Sequence, residues 1–446
     1  MSMLTLNSIV YTLNHFLNVI KATDLKYEIT NWSESSLFVD FTCGKVSKTV
    51  VFRISNNDTV QSFLNKELKL HLYPTIDKGA MIPLMNDEST FSKIDSGILY
   101  VEADIISISF ILLSRYEETL INERDSHGRF QFKNSLGNYY EFHKFPIVDE
   151  YCYLLKEQLK SLFFNIKFES KKVKIIPTHD IDEIQRFKGV YKSAKSILED
   201  LYIYGSFKFF FNSIKSYFRS SLNSFNDMYL RSIYKLIEVS KKNGYVSEFY
   251  FMGADSGNNN DGYNSDSVLL KNVYAEIEQN KMIVGLHGGY MTYLDVNVYN
   301  KEKQRVESAI NTSIKHNRQH YLRFDIENTF EVLEKANISY DTSLGYAEAE
   351  GFRCGTCHPY HPFDFKNDKP FKIWEKPLIV MDVTLSGYQK YNEIEALASM
   401  QQLYERCKVV EGDFVLLWHN NYVYREPNYF KNVYCKFLEF NKEITA

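Results

Sequence analysis

Apolar residues recur along this chain in two rhythms, and the change between them falls near residue 170. Before it, short alternating runs at 26–30, 36–41 and 49–54 mix with two stretches, 8–20 and 148–162, whose apolar residues return at helical spacing. Alternation puts every second side chain on one face of a strand, whereas recurrence at i, i+3 and i+4 builds one face of a helix. Residues 1–165 therefore read as a smaller α+β domain. Residues 165–172 form the junction, ending in Lys171-Lys172.

From residue 172 to 446 the pattern becomes strand, helix, strand, helix. Short apolar runs fall at 173–177, 246–252, 283–286, 320–324, 338–341, 377–383 and 414–418. Helical spacing fills 228–242, 267–279, 301–315, 329–336 and 394–409, with Ser265 or Asp266 as the expected cap of the second of these. Such alternation predicts an α/β fold with parallel strands, and seven runs predict a (β/α) barrel, seven-stranded and distorted. Two segments break the rhythm. Residues 187–226 are basic and aromatic, and read as an amphipathic insertion that covers one side of the barrel, or as a substrate lid or membrane-surface contact. The polar stretch 253–265 reads as a solvated turn.

Composition narrows the class of partner. A 446-residue chain with 44% hydrophobic residues can bury a large core, and a net charge of -4 provides no overall field that would gather nucleic acid. The longest apolar run, near 105–113, falls short of the roughly 20 residues a bilayer span requires. The first residues lack a basic stretch followed by a long apolar one, so a cytoplasmic location and reduced thiols for the six cysteines are expected.

The candidate chemistry sits where apolar runs end. Asp180 and Asp182 follow 173–177, His287 follows 283–286, Arg323 and Asp341 lie in the next two runs, Asp382 in the sixth, and His419 closes the last. Two carboxylates on one strand face repel, and a metal ion, a shared proton or a nearby cation must offset that. A lone strand-end Asp commonly caps a turn, and a lone His is commonly a hydrogen-bonded core residue. An ordered set at the C-terminal ends of barrel strands is different, because active sites assemble there.

These residues and their order resemble the polysaccharide deacetylases of the NodB-like carbohydrate esterase superfamily. Thr178–Asp182 is similar to the first family motif, Gly285–Tyr290 to the metal-binding histidine motif, Leu322-Arg323-Phe324 to the third, Tyr340–Leu344 and Met381–Leu385 to the region of the fourth, and Leu417–Asn420 to the last. Leu113–Glu118, Asp125–Phe130 and Gly351–Pro359 resemble a subgroup with an N-terminal domain of unknown function. The resemblance implies a metal-dependent hydrolase acting on carbon–nitrogen bonds, removing an acetyl (acyl) group from an N-acylated sugar in surface polysaccharide or glycoconjugate metabolism. It implies Asp180 as base, Arg323 as its partner, His419 as general acid with Asp382 or Asp341 behind it, and Asp182 and His287 as ligands of a divalent metal ion, zinc first. Tyr290, Asp341 and Arg353 would meet the carbohydrate substrate, which a cytoplasmic enzyme would encounter linked to a nucleotide or a lipid.

One position departs from that pattern. Met291 stands where a second metal-binding histidine is usual, and a thioether is a poor zinc ligand. The metal would keep Asp182 and His287, one short of the usual three protein ligands. His320 is a candidate third, but strand alternation would set it facing away from Arg323. Cys354-Gly355-Thr356-Cys357-His358 has the spacing of haem attachment and, with His361, the donors of a zinc site; otherwise it is a rigid loop. Two other functions stay open: a different amide hydrolase on the same barrel, and an inactive carbohydrate-binding protein.

Overall fold

The computed structural model describes residues 3–442 apart from 77–80, 86–89, 205–206, 255 and 258–259. Eight strands of the second part form one parallel sheet: β1 Ile175–Ile181, β2 Glu248–Met252, β3 Ile283–Gly288, β4 His316–Gln319, β5 Tyr340–Asp341, β6 Trp374–Glu375, β7 Leu378–Met381 and β8 Phe414–Leu417. Their hydrogen-bonded order is β6-β5-β4-β3-β2-β1-β8-β7, every pair parallel. That is the order of a singly wound barrel opened between β6 and β7.

The two edges are consecutive in the chain, separated by Lys376 and Pro377 alone. Lys376 N–H prolongs the β5–β6 ladder to Asp341 O at 2.8 Å, and the edge of β7 is met by a loop, Gly351 N–H to Ile379 O at 2.8 Å. The strand that sequence pattern missed is β6, whose two residues are too few to show a period.

The fourth strand is displaced from its expected place. It runs His316–Gln319 and not over 320–324, because Tyr321 and Leu322 take the left-handed backbone with φ of 61° and 55°. The chain thus leaves the sheet at His320. The helix Val268–Gln279 is capped by Ser267, whose hydroxyl accepts the Leu270 N–H at 3.4 Å, and not by Ser265 or Asp266. Ser265 instead bonds Met252 O at 3.0 Å, and Tyr263 donates to Ile181 O at 2.6 Å, so the ends of 253–265 are anchored to the barrel rim. The middle of that loop lies partly outside the described residues.

In the first part, strands Leu25–Trp32, Ser36–Cys43, Val46–Arg53, Ile98–Val101 and Ser92–Asp95 pair in that order into a five-stranded sheet. Helices Leu6–Ile20, Ile105–Ser114 and Ile147–Leu162 accompany it. Ile105–Ser114 is buried on every side, which explains an apolar run without a polar face. Among the described residues, no helix is long and apolar enough to cross a membrane.

Both parts share one apolar core. Phe363 of the second part meets Phe110 and Tyr11 of the first at ring separations of 5.0 and 5.2 Å. Asp149 accepts from Thr356 Oγ1 at 2.6 Å and from the Cys357 N–H at 2.8 Å. The Cys354–His358 stretch is therefore docking structure. His358 Nε2 bonds Val410 O at 2.8 Å, and His361 Nδ1 bonds Ile373 O at 3.0 Å, so these donors are not gathered for zinc.

Candidate active site

Inward positions of β1 alternate, and Thr178, Asp180 and the following Asp182 all turn toward the barrel axis. His179 between them points out, against Phe249 and Tyr434. At the end of β3, His287 Nδ1 lies 2.9 Å from Arg318 O, an acceptor only, so that nitrogen carries the proton and Nε2 is left as a ligand. Nε2 stands 3.2 Å from Asp182 Oδ1 and 3.7 Å from Asp180 Oδ2. The turn after β4 swings His320 over this pair, its ring 5.0 Å from that of His287.

Asp182, His287 and His320 each offer a ligand atom within 4.8 Å of the others. This corrects the expectation of an incomplete set, since His320 is not on a strand and alternation does not govern it. Met291 is 60% exposed and plays no part in the cluster.

Burial pushes the His320 imidazole down to about 3, against the pull of Asp182, which leaves it neutral as a metal ligand must be. Burial opposes ionisation of Asp182, but the neighbouring His287 and His419 rings hold it well below the usual carboxylate range. The residues fit a divalent cation. Among the described residues His320 Nδ1, Asp180 Oδ1 and Asp182 Oδ1 are buried without a hydrogen-bond partner, and two imidazoles with one carboxylate make the donor set of a catalytic zinc site with an open position.

His419 follows β8 and is fixed twice by Asp382, through its Nδ1 at 2.7 Å and its backbone N–H at 2.7 Å. Its Nε2 faces Asp182 Oδ2 at 4.0 Å. Burial disfavours the imidazolium, yet Asp382, Asp182 and Asp180 together raise its pKa to about 10.

Other expected residues lie elsewhere. Arg323 is committed away from Asp180: its Nε donates to His127 O at 2.6 Å, its Nη2 to Tyr293 Oη at 2.9 Å, and its Nη1 to Tyr290 O. Its guanidinium stacks on the Tyr290 ring, which turns Tyr290 into part of that clamp. Asp341 is buried on Asn317 and Ser343. Arg353 is also buried, in a paired ion bridge with Glu118 of the first part, and meets no open space. The guanidinium inside the barrel belongs to Arg318, which donates to Thr178 and Thr342 hydroxyls at 2.9 Å, one inward step below Asp180. Among the described residues its Nε and Nη1 are buried without hydrogen-bond partners. The Gly289 N–H, two residues past His287, is committed to Glu302 Oε2 at 2.8 Å.

The cluster opens into a cavity of about 410 Å³. Its walls include Tyr321, Leu417, Tyr422 and Arg425, and also His127 and Arg129 from the first part. His127 stacks on Tyr321 at 4.5 Å, and Arg129 is held by Asp125 at 2.7 Å. The Asp125–Phe130 stretch carried a family signal, but nothing in its own pattern placed it at the site.

Comparisons with known proteins bear on the two parts separately. Residues 2–164 match the model of a family of unknown function, DUF7033. A search of curated proteins finds no match. Among solved structures, a candidate polysaccharide deacetylase from Mycobacterium smegmatis is 12% identical, with 62% of this chain and 86% of that one covered and a TM-score of 0.40. A polysaccharide deacetylase from Bacillus cereus is 12% identical over 60% and 88%, with a TM-score of 0.26. A CE4 family pseudoenzyme from Bacillus anthracis is 9% identical over 62% and 64%, with a TM-score of 0.30. None of these likenesses fixes an activity or a substrate for this chain.

Proposed function

We propose that this chain is a metal-dependent hydrolase that removes an acyl group from the nitrogen of an N-acylated sugar. The observation that carries the reading is the convergence of Asp182, His287 and His320 within 4.8 Å, with Asp180 and a His419–Asp382 pair beside them. The motif resemblance supplies the amide of an amino sugar as the bond attacked.

A divalent cation held by those three residues would supply positive charge that acidifies water and polarises an acyl carbonyl. Asp180, with one oxygen left without a hydrogen bond among the described residues, accepts the proton of the attacking water. His419 enters the reaction as an imidazolium and gives its Nε2 proton to the departing amine. Asp382 holds that ring in orientation and keeps it charged until the transfer. The half-open cavity, with aromatic and cationic walls, suits a hydroxylated ring better than a flat apolar ligand.

The test is metal content of the purified chain together with acetate release from N-acetylated saccharides. About one divalent ion per chain is expected, lost in Asp182→Ala, His287→Ala and His320→Ala, with release abolished by a chelator and restored by zinc. A chain that takes up no metal from excess zinc, or whose release survives chelation, overturns the reading.

A further inference from the structure

The insertion that follows Asp182 is left unused by the chemistry above. Its helices Val190–Tyr204 and Phe207–Leu222 pack against each other and are rooted at the rim of the cavity. Asp227 clamps the root, accepting the Arg186 and Phe187 N–H groups at 3.0 and 3.1 Å and the Tyr229 N–H at 2.9 Å. Arg425, a wall of the cavity, donates to Tyr229 Oη at 2.8 Å. An apolar cluster of Phe187, Ile197, Met228 and Tyr229 fixes the inner face of the pair.

The outer face is the unusual one. Phe207, Phe211, Phe218 and Leu222 fall at i, i+4, i+11 and i+15, which is one stripe of a helix, and their exposures run from 62% to 89%. Val190, Tyr191 and Leu198 of the other helix are exposed as well. Lys215 and Arg219 border the stripe, and Lys192 and Lys195 stand on the neighbouring helix, all exposed. The segment is basic in a chain whose net charge is -4. A large apolar stripe edged by cations matches an interfacial helix, whose apolar face enters the acyl boundary while its cations meet anionic headgroups.

We propose that this helix pair seats the mouth of the cavity on an anionic lipid surface, and that the substrate is an acylated saccharide carried on a lipid anchor. The substrate half rests on the hydrolase reading; the docking half does not. The charge argument selects lipid over a second copy of the chain, because two such basic stripes would repel.

The experiment uses the full chain and vesicles of phosphatidylcholine with and without phosphatidylglycerol, read by co-sedimentation. Binding to the anionic vesicles alone is expected, weakened by salt, and weakened at least about tenfold in Phe211→Ser/Phe218→Ser and in Lys215→Glu/Arg219→Glu. Absence of binding, or unchanged binding in both variants, overturns the docking. So does a native dimer that the Phe211→Ser/Phe218→Ser variant converts to monomer. Acetate release is then compared for one N-acetylated saccharide free in solution and anchored in anionic vesicles. Faster release from vesicles, lost in the Phe variant while the solution rate is kept, supports the substrate class; equal rates overturn it. Vesicle binding with no release from either form supports the docking and overturns the hydrolase.

Discussion

Asp180 and Asp182 stand two residues apart on one strand face, in unlike surroundings. Asp182 faces three imidazoles, of which His287 and His419 hold it ionised, as a ligand requires. Asp180 lies farther from His287 and keeps an oxygen without a partner, as a base requires. Asp180→Asn should therefore lower kcat by about three orders of magnitude while metal content stays at the native level, since general-base catalysis contributes on the order of 10²–10⁴. Retention of more than a tenth of native turnover would remove Asp180 from the role. Arg323→Ala should behave otherwise. Its three acceptors and two stacked tyrosines make it a clamp, so the loss should appear as about 1–3 kcal/mol of stability in denaturant titration, with a much smaller fall in kcat. Sequence order showed Asp180, Asp182, His287, Asp382 and His419 at run ends, because strand ends are legible from apolar runs. It offered His320 only as a candidate that alternation would turn away, because its position depends on left-handed backbone at Tyr321 and Leu322, a conformation bulky residues rarely adopt and no pattern announces.

At the scale of elements, the loop leaving β3 shows how a strand end is held for chemistry. Gly289 follows the strand's last residue, Gly288, two positions past His287, and its N–H is tied to Glu302 of the helix Val296–Ile310. A Cβ at residue 289 would lie 2.6 Å from Glu302 Oε1 and 3.1 Å from the Ala254 side chain. Gly289→Ala should cost about 1–3 kcal/mol by overpacking and should lower metal affinity through His287, seen as a reduced melting temperature and a weaker zinc titration. A variant with native melting and native zinc affinity would show that the loop yields freely. The alternation of strands and helices was readable because each element is long enough to bury a face. The two-residue β6 was not, and it decides that the barrel opens beside it.

At the scale of the whole molecule, the chain's two rhythms predict a junction near residue 170 but conceal how the halves meet, since contacting residues such as Glu118 and Arg353 lie 235 positions apart. Arg353 and Arg115 converge on Glu118 across 235 and 3 residues of chain, all buried. Burial disfavours the Glu118 carboxylate, but the two guanidinium groups outweigh it and hold its pKa below the usual range. A depressed carboxylate stabilises the fold above its ordinary pKa and loses that contribution as pH falls through the lowered value. Acid should thus loosen the contact between the halves, and Glu118→Ala, which takes the carboxylate from buried Arg353 while Arg115 keeps Glu117, should cost about 3–5 kcal/mol at neutral pH. Because the halves also share Phe110 against Phe363 and a cavity wall at His127, neither should melt alone. Calorimetry of the full chain should show one transition, shifted down as a unit in Glu118→Ala and at acid pH. Two separated transitions, or a native-like melt for residues 172–446 expressed without the first part, would mean that the shared core is a contact between independent domains and that the barrel supplies its site unaided.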